Sequence, residues 1–335
     1  MTGRRRLTGL AVLVLLLGIG AVLSVGIGAR PTSPAEVWHA LFGATATPAD
    51  EIVRQLRVPR TVLGVVAGAA LGVAGAVIQG HTRNPLADPG LLGINAGAAL
   101  LVVVAIGPLG WTDPGSYIWS ALLGALLAGL VVFAVGSTTT TTTTAAGPLN
   151  LALTGLAVTF LLQAVTSAIV LGDTATMDLY RFWVVGSVAG RDLEVVGQVA
   201  PFLLVGFVLA AAGAPALNLL GLGTDVARSL GARVGLQRLG GLAAVTLLAG
   251  AATAACGPIA FLGLIVPHLA RTVTGPDYRW LIPASALLGA VLLLGADVLG
   301  RIAARPGELQ VGIVLAVLGG AFFVAVVRRR VPVAL

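Results

Sequence analysis

The chain contains no lysine: all 20 residues of its Lys+Arg total are arginine. The usual nucleotide-hydrolysing loop, G-x-x-x-x-G-K-[ST], is therefore excluded, because its lysine must reach the β and γ phosphates. Cysteine is almost absent too. Cys256 is the one thiol, so there is no internal disulfide and no cysteine-based zinc or iron–sulfur site. Its Ala/Gly-rich surroundings suit a small buried residue. Charged residues make up only 10%, and the 13 carboxylates fall in loops or near the ends of apolar stretches. A proton-coupled carrier normally keeps an ionisable group at mid-membrane, where it is costly and therefore functional. The deepest candidate, Asp297, lies four residues before Arg301, a spacing at which the two charges pair on one helix face. The histidines His39, His81 and His268 are far apart in sequence, which leaves no Ser/His/Asp constellation. His268, after Pro267, reads as a cap or packing residue.

What is present is apolar. Hydrophobic residues make up 57% of the 335 positions, with mean hydropathy +1.01. A water-soluble protein of this composition would have nothing to present to solvent, whereas a bilayer span needs roughly 20 such residues. Spans are expected at 7–28, 60–80, 91–107, 117–136, 149–171, 195–213, 237–256, 258–269, 281–299 and 310–327. The fold class is all-α integral membrane, one transmembrane domain over residues 1–335 with about ten helices of roughly 20 residues. The eighth span is short and opens at Gly257-Pro258, as a partial or kinked helix inside a bundle does. Arg4–Arg6 and the apolar run to Gly28 resemble a signal peptide, but the run is too long and lacks a cleavage site, so it is taken as the first span.

The net charge of +7 does not indicate a nucleic-acid partner, because the arginines sit singly or in short runs at span ends, as orientation signals do. An even number of spans puts both termini on one side. Arg4–Arg6 and Arg328–Arg330 make that side the cytoplasm, so the chain is expected in the cytoplasmic membrane. Arg83, Arg228, Arg233, Arg238, Arg271 and Arg279 join them inside. Arg30, Arg54, Arg57, Arg60, Arg181, Arg191, Arg301 and Arg305 lie outside, so the bias is modest and the outer arginines need a separate reason. Trp38, Trp111, Trp119, Trp183, Trp280 and the three tyrosines mark span ends as an interfacial belt.

Glycine is frequent, at 46 residues, and Gly64, Gly68 and Gly72 recur every fourth position. Small residues at that spacing let helix backbones approach closely. The Ser137–Thr144 run reads as a non-helical connector, since β-branched threonines disfavour helix. Between the sixth and seventh spans (about 214–236), Asn218–Leu222 reads as a short helical piece. Thr224 or Asp225 is expected to cap a second one closed by Gly231, with Asp225 pairing to Arg228. Pro59 fits the first residue of a helix.

Five stretches, in order, carry a family resemblance: Arg57-Val-Pro-Arg60 with the span ending Gly75-Ala-Val-Ile-Gln79; Arg83-Asn84-Pro85-Leu-Ala-Asp-Pro-Gly-Leu-Leu-Gly93; Gly223-Thr-Asp-Val-Ala-Arg-Ser-Leu-Gly231; Gly257-Pro-Ile-Ala-Phe-Leu-Gly-Leu-Ile-Val-Pro-His-Leu-Ala-Arg271; and Glu308-Leu-Gln-Val-Gly-Ile-Val, closing with Gly319-Gly-Ala-Phe-Phe323. Together they cover nearly the whole chain, which resembles the FecCD-type permease subunits of type II ATP-binding-cassette importers for iron–siderophores, haem and cobalamin. The resemblance implies about ten helices per subunit and two permease subunits, identical or paralogous, around one path for a metal chelate. It also implies a cytoplasmic ATPase dimer that holds ATP and magnesium, and an extracytoplasmic substrate-binding protein. This chain would carry no cofactor and catalyse nothing itself. Leu222, Gly223, Thr224, Asp225, Ala227, Arg228, Ser229, Leu230 and Gly231 would couple to the ATPase. Arg57, Arg60 and Arg301 would dock the binding protein, and Gly64, Gly68, Gly72, Gln79, Asn84 and Pro85 would serve helix packing or the path. The sequence departs from the family at Ala321, where a proline is usual, and at the poly-Thr connector with Pro148-Leu-Asn150, where a more basic entry is common.

Overall fold

The computed structural model describes residues 3–28, 32–43, 47–111, 113–138 and 148–328. Arg30, Arg329, Arg330 and the connector from Thr139 onward lie outside them. All described secondary structure is helical. In order the elements are α1 (Gly3–Gly26), α2 (Pro34–Phe42), α3 (Pro48–Glu51), a π-helical stretch (Ile52–Arg57), α4 (Val58–Thr82), a 3-10 turn (Pro89–Leu92), α5 (Ile94–Ile106), α6 (Pro114–Thr138) and α7 (Pro148–Gly172). There follow α8 (Thr174–Val184), α9 (Leu193–Gly221), α10 (Thr224–Ser229), α11 (Val234–Cys256), α12 (Leu262–Thr274), α13 (Tyr278–Ala303) and α14 (Val311–Arg328).

Each of the apolar stretches marked in the sequence coincides with a helix. Among the described residues, seven helical segments are long and apolar enough to cross a membrane: Gly3–Gly26, Pro48–Thr82, Gly115–Gly136, Asn150–Gly172, Leu193–Gly221, Val234–Cys256 and Tyr278–Ala303. Ile94–Ile106 and Val311–Val326 are shorter apolar helices. The eighth expected span begins four residues late. Gly257 and Phe261 both take positive φ, 74° and 66°, and the chain has no regular structure between them before α12 starts at Leu262.

Pro59 stands in the first turn of α4, but that turn continues an earlier helical run. The helix α3, the π stretch and α4 form one continuous helical segment from Pro48 to Thr82. Pro59 follows directly on the widened π turns, where Val58 N–H bonds the Val53 carbonyl. Such a turn absorbs the missing N–H and ring clash of a proline. Pro215 likewise sits inside α9, which continues to Gly221, so Asn218–Leu222 is its last turn rather than a separate piece. Neighbouring helices make such breaks tolerable within a bundle. The short helices α2 and α8 carry no span-length apolar run and went unrecognised in the sequence.

The centre of the bundle is α4 and α11, buried along most of their length, while α1 and α7 are largely peripheral. The glycines of α4 explain its closest contact. A Cβ on Gly64 would lie 2.7 Å from Leu294 Cδ2, and one on Gly68 would lie 2.5 Å from the Gly289 carbonyl oxygen. One on Gly72 would run into the Ser285 carbonyl. Rising numbers on α4 meet falling numbers on α13, so the two helices are antiparallel, and Ser285 and Gly289 repeat the four-residue small spacing on the partner. In lipid, such backbone proximity replaces the hydrophobic drive as the source of helix association.

Candidate functional site

Three regions bring the singled-out residues together. The first is an ionic knot where the N-terminal end of α4 meets the C-terminal end of α13. Arg60 grips Asp297 with Nε (3.0 Å to Oδ2) and Nη2 (2.7 Å to Oδ1), while its Nη1 donates to Glu308 Oε2 at 2.6 Å. Arg301 Nη2 also donates to Asp297 Oδ2, at 2.6 Å. The i, i+4 pair expected from the sequence is present, but the carboxylate is shared with a guanidinium 237 residues away in the chain. With both oxygens occupied and the residue 1% exposed, Asp297 has the geometry of a structural anchor.

The arginines do a second job. Arg57 Nη1 donates to the Val25 and Gly26 carbonyls at 3.0 and 2.9 Å, and Arg301 Nη1 to those of Ser24 and Ile27 at 2.8 and 2.6 Å. These are the carbonyls that the last turn of α1 leaves without intrahelical partners, and cations there also complement the helix dipole. Ser24 Oγ and Thr61 Oγ1, 2.8 Å apart, complete the seam. Arg57, Arg60 and Arg301, expected as docking charges for a binding protein, all make contacts within the chain. All three are buried, Arg301 to 1% exposure, because acidic partners and unpaired carbonyls of the same chain draw them inward. For these three of the outer arginines, the contacts supply a reason that the inside bias does not.

The second region is the segment after α4. Arg83 ends the helix in the left-handed conformation at φ 48°. Asn84 Oδ1 accepts from Leu86 N–H at 2.9 Å, and Asp88 Oδ1 from Gly90 N–H at 2.8 Å. The Asn and Asp turns thus shape the loop that Pro85 and Pro89 stiffen. Gln79 organises it from below. Its Nε2 donates toward the Ala87, Gly263 and Leu264 carbonyls at 3.3, 3.4 and 3.3 Å, and its Oε1 accepts from Arg271 at 2.7 Å. Gln79 is fully buried and works as a bracket between this loop and α12, while Asn84 is exposed and Pro85 partly so.

The third region is the turn between α9 and α11. The Gly223–Gly231 segment forms a short helix, but neither Thr224 nor Asp225 caps it. Gly223 occupies the N-cap at φ 108° without a side-chain bond, and both residues fall inside α10. At that φ a β carbon is strained although the space around it is open, so glycine holds the position. The C-terminal end closes as a Schellman turn: Gly231 at φ 82° donates to the Arg228 carbonyl at 2.9 Å, and Ala232 donates to the Ala227 carbonyl at 3.0 Å. Arg228 and Asp225 pair at 3.3 Å on the exposed side, and Ser229 Oγ donates to the Val226 carbonyl at 2.9 Å. Ala227 is buried in a small cluster with Leu220 and Val234, while Leu222, Val226 and Leu230 are exposed. A rigid knuckle therefore projects an apolar face edged by one ion pair.

Nearby, Asp277 joins three elements. It accepts from Asn218 Nδ2 of α9 at 2.8 Å, caps α13 through Arg279 N–H at 3.1 Å and pairs with Arg6 of α1 at 3.6 Å. Burial alone would raise its carboxyl, but the Asn218 amide, the Arg279 N–H and the Arg6 charge hold it below the usual carboxylate range. No local pattern in the sequence marks this node, because its partners come from three different helices. The histidines stay apart: His39 Nδ1 meets Asp50 at 3.0 Å, His81 packs against Gly241, and His268 stands edge-on to Phe322 with centroids 5.6 Å apart. Among the described residues no group of three or more His, Cys, Asp or Glu is placed to hold a metal ion.

Comparison with known proteins agrees over nearly the whole length. The chain is 43% identical over 319 residues to the ferric enterobactin transport system permease protein FepD of Escherichia coli (strain K12), covering 95% of this chain and 94% of that one. It is 37% identical over 325 residues to the hemin transport system permease protein HmuU of Yersinia pestis, covering 96% and 95%. Its fold matches a metal-chelate type ABC transporter solved in an inward-facing conformation, with TM-score 0.83, 28% identity and coverage of 96% and 98%. The family model of the FecCD transport family matches residues 15–329, and this chain belongs to that family.

Proposed function

We propose that this chain is the membrane-spanning permease subunit of an ATP-driven importer that passes a metal chelate, foremost a ferric siderophore, into the cytoplasm. The observation that carries the reading is the end-to-end similarity to a ferric enterobactin permease, 43% identical over 95% of the chain. Haem is the second cargo to consider, on the similarity to the hemin permease. The chain works in the cytoplasmic (inner) membrane with both termini inside, beside an identical or paralogous permease subunit. A separate ATPase dimer supplies energy, consistent with a sequence that has no lysine for a phosphate-binding loop. A substrate-binding protein delivers the chelate from outside.

Within that assembly, α10 is the part the ATPase pushes. The exposed Leu222, Val226 and Leu230 supply an apolar contact, and the Schellman turn keeps the knuckle stiff. Gly231→Val puts a β-branched residue at φ 82°, a strain of about 1–3 kcal/mol. The expected result is a complex that still hydrolyses ATP but transports several-fold less per ATP consumed. An unchanged transport-to-hydrolysis ratio in proteoliposomes would remove α10 from the coupling path.

The first test of the assignment is purification of the tagged chain from native membranes in mild detergent. Recovery of a Walker-motif ATPase in equal amount is the expected outcome. A chain that emerges alone, and carries chelate in liposomes without ATP, would end the importer reading.

A further inference from the structure

The short helix α2, which no span prediction marked, is built as a fixed shelf with one uncovered face. Its N-terminus carries a reciprocal capping box: Glu36 N–H to Ser33 Oγ at 3.3 Å, and Ser33 N–H to Glu36 Oε2 at 2.6 Å. Its C-terminus is held by Arg54, whose guanidinium donates to the Ala40 and Gly43 carbonyls. Midway, His39 is latched to Asp50, which also closes the capping box of α3 with Thr47. Glu36 and His39 are thus engaged by caps and latch. The opposite face, at helical spacing, presents Trp38, Leu41 and Phe42, with the two aromatic rings 4.5 Å apart. Trp38 is 69% exposed and Phe42 70%.

We infer that α2 is an interfacial anchor whose Trp38–Leu41–Phe42 face lies in the lipid headgroup layer. Its place in the fold identifies the occupant. α2 connects two membrane-crossing segments, starting eight residues beyond the end of α1 and ending six before Pro48. It packs on the end of α1 and on the π stretch, so it sits at the rim of the bundle. The last turns of α1 expose Val22 and Leu23, so an apolar bilayer-facing surface leads up to the shelf. A short helix with a charge-free aromatic face settles with that face about 5–10 Å into the headgroup and acyl boundary, and tryptophan favours that layer because its ring is amphipathic. The anchor fixes the height in the membrane of the Arg57–Arg60 end of α4, to which α2 is tied through Arg54 and Asp50.

The test uses the full chain in lipid nanodiscs with Cys256→Ala, since that buried thiol is the one cysteine. Nitroxide labels are placed singly at Trp38→Cys, Leu41→Cys, Phe42→Cys and, as the polar reference on the opposite side of the helix, Glu36→Cys, where the Ser33 cap remains. Leu41→Cys keeps both aromatic rings and stands in if removing either one disturbs folding. Collision with dissolved oxygen should exceed collision with a water-soluble nickel chelate several-fold at 38, 41 and 42, and the ratio should fall at 36. Free access of the nickel chelate to all positions would place the face in water and overturn the anchor. Shielding from both probes would mean a protein covers it, a second copy or a docking partner, and would overturn it equally.

Discussion

Replacing Asp297 with alanine should destabilise the protein by about 3–5 kcal/mol, the usual cost of leaving buried charge without its partner. Two guanidiniums converge on this carboxylate, Arg60 at 2.7 Å and Arg301 at 2.6 Å. Removing it leaves both facing a low-dielectric interior with like charge beside them. Arg301 also holds the carbonyl end of α1, so the first helix should loosen with it. The measurement is the thermal midpoint of the purified chain in detergent, followed beside Glu308→Gln. Glu308 is a third exposed, with 33% side-chain accessibility, and its loss should cost about 0–1 kcal/mol. The double variant Asp297→Ala with Arg60→Met should be less damaging than the two single changes added together, by about 0.5–3 kcal/mol. Equal midpoints for Asp297→Ala and wild type would show that the knot contributes nothing to stability.

The second large effect is expected at the α4–α13 seam. Gly68→Val places side-chain carbon where the Gly289 carbonyl stands, 2.5 Å from an ideal Cβ. Backbone cannot swing aside as a side chain can, so the helices must separate along several turns. Overpacking of a well-fitted interior costs about 1–3 kcal/mol, and collision with main chain puts this variant at the upper end or beyond. Gly18→Val on α1, where no heavy atom lies within 4 Å, is the matched control and should leave the thermal midpoint nearly unchanged. The reading of Gly64, Gly68 and Gly72 as a packing ridge fails if the two variants behave alike.

Both effects show where sequence reading stops. The glycine ridge was legible because it is periodic within one helix, yet its partner was not. Ser285 and Gly289 lie more than two hundred residues further on, and no local pattern joins them to Gly68. The pairing of Asp297 with Arg301 was legible for the same reason, being one turn apart. Arg60 as the second ligand was not. Its outward position in the topology suggested a surface charge, whereas the fold supplied an acid and a set of unpaired helix carbonyls within reach. The α10 turn was read correctly as a short helix closed by Gly231, but its N-cap was assigned to side chains when Gly223 holds that position at φ 108°, a conformation that strains any β carbon. Asp277, which ties α1, α9 and α13 together, carried no signal because each of its bonds crosses between elements.

The sequence by itself determined that this is an all-helical membrane chain, roughly where its helices run and which family it resembles, because apolar length and residue spacing are local properties. Only the tertiary structure decided which charges face one another, which prolines are carried inside a helix, and that α2 is a clamped shelf with an open aromatic face. Those outcomes depend on a buried charge or an unpaired carbonyl finding the nearest compatible group in space, and nearness in space is set by how the helices pack rather than by order along the chain.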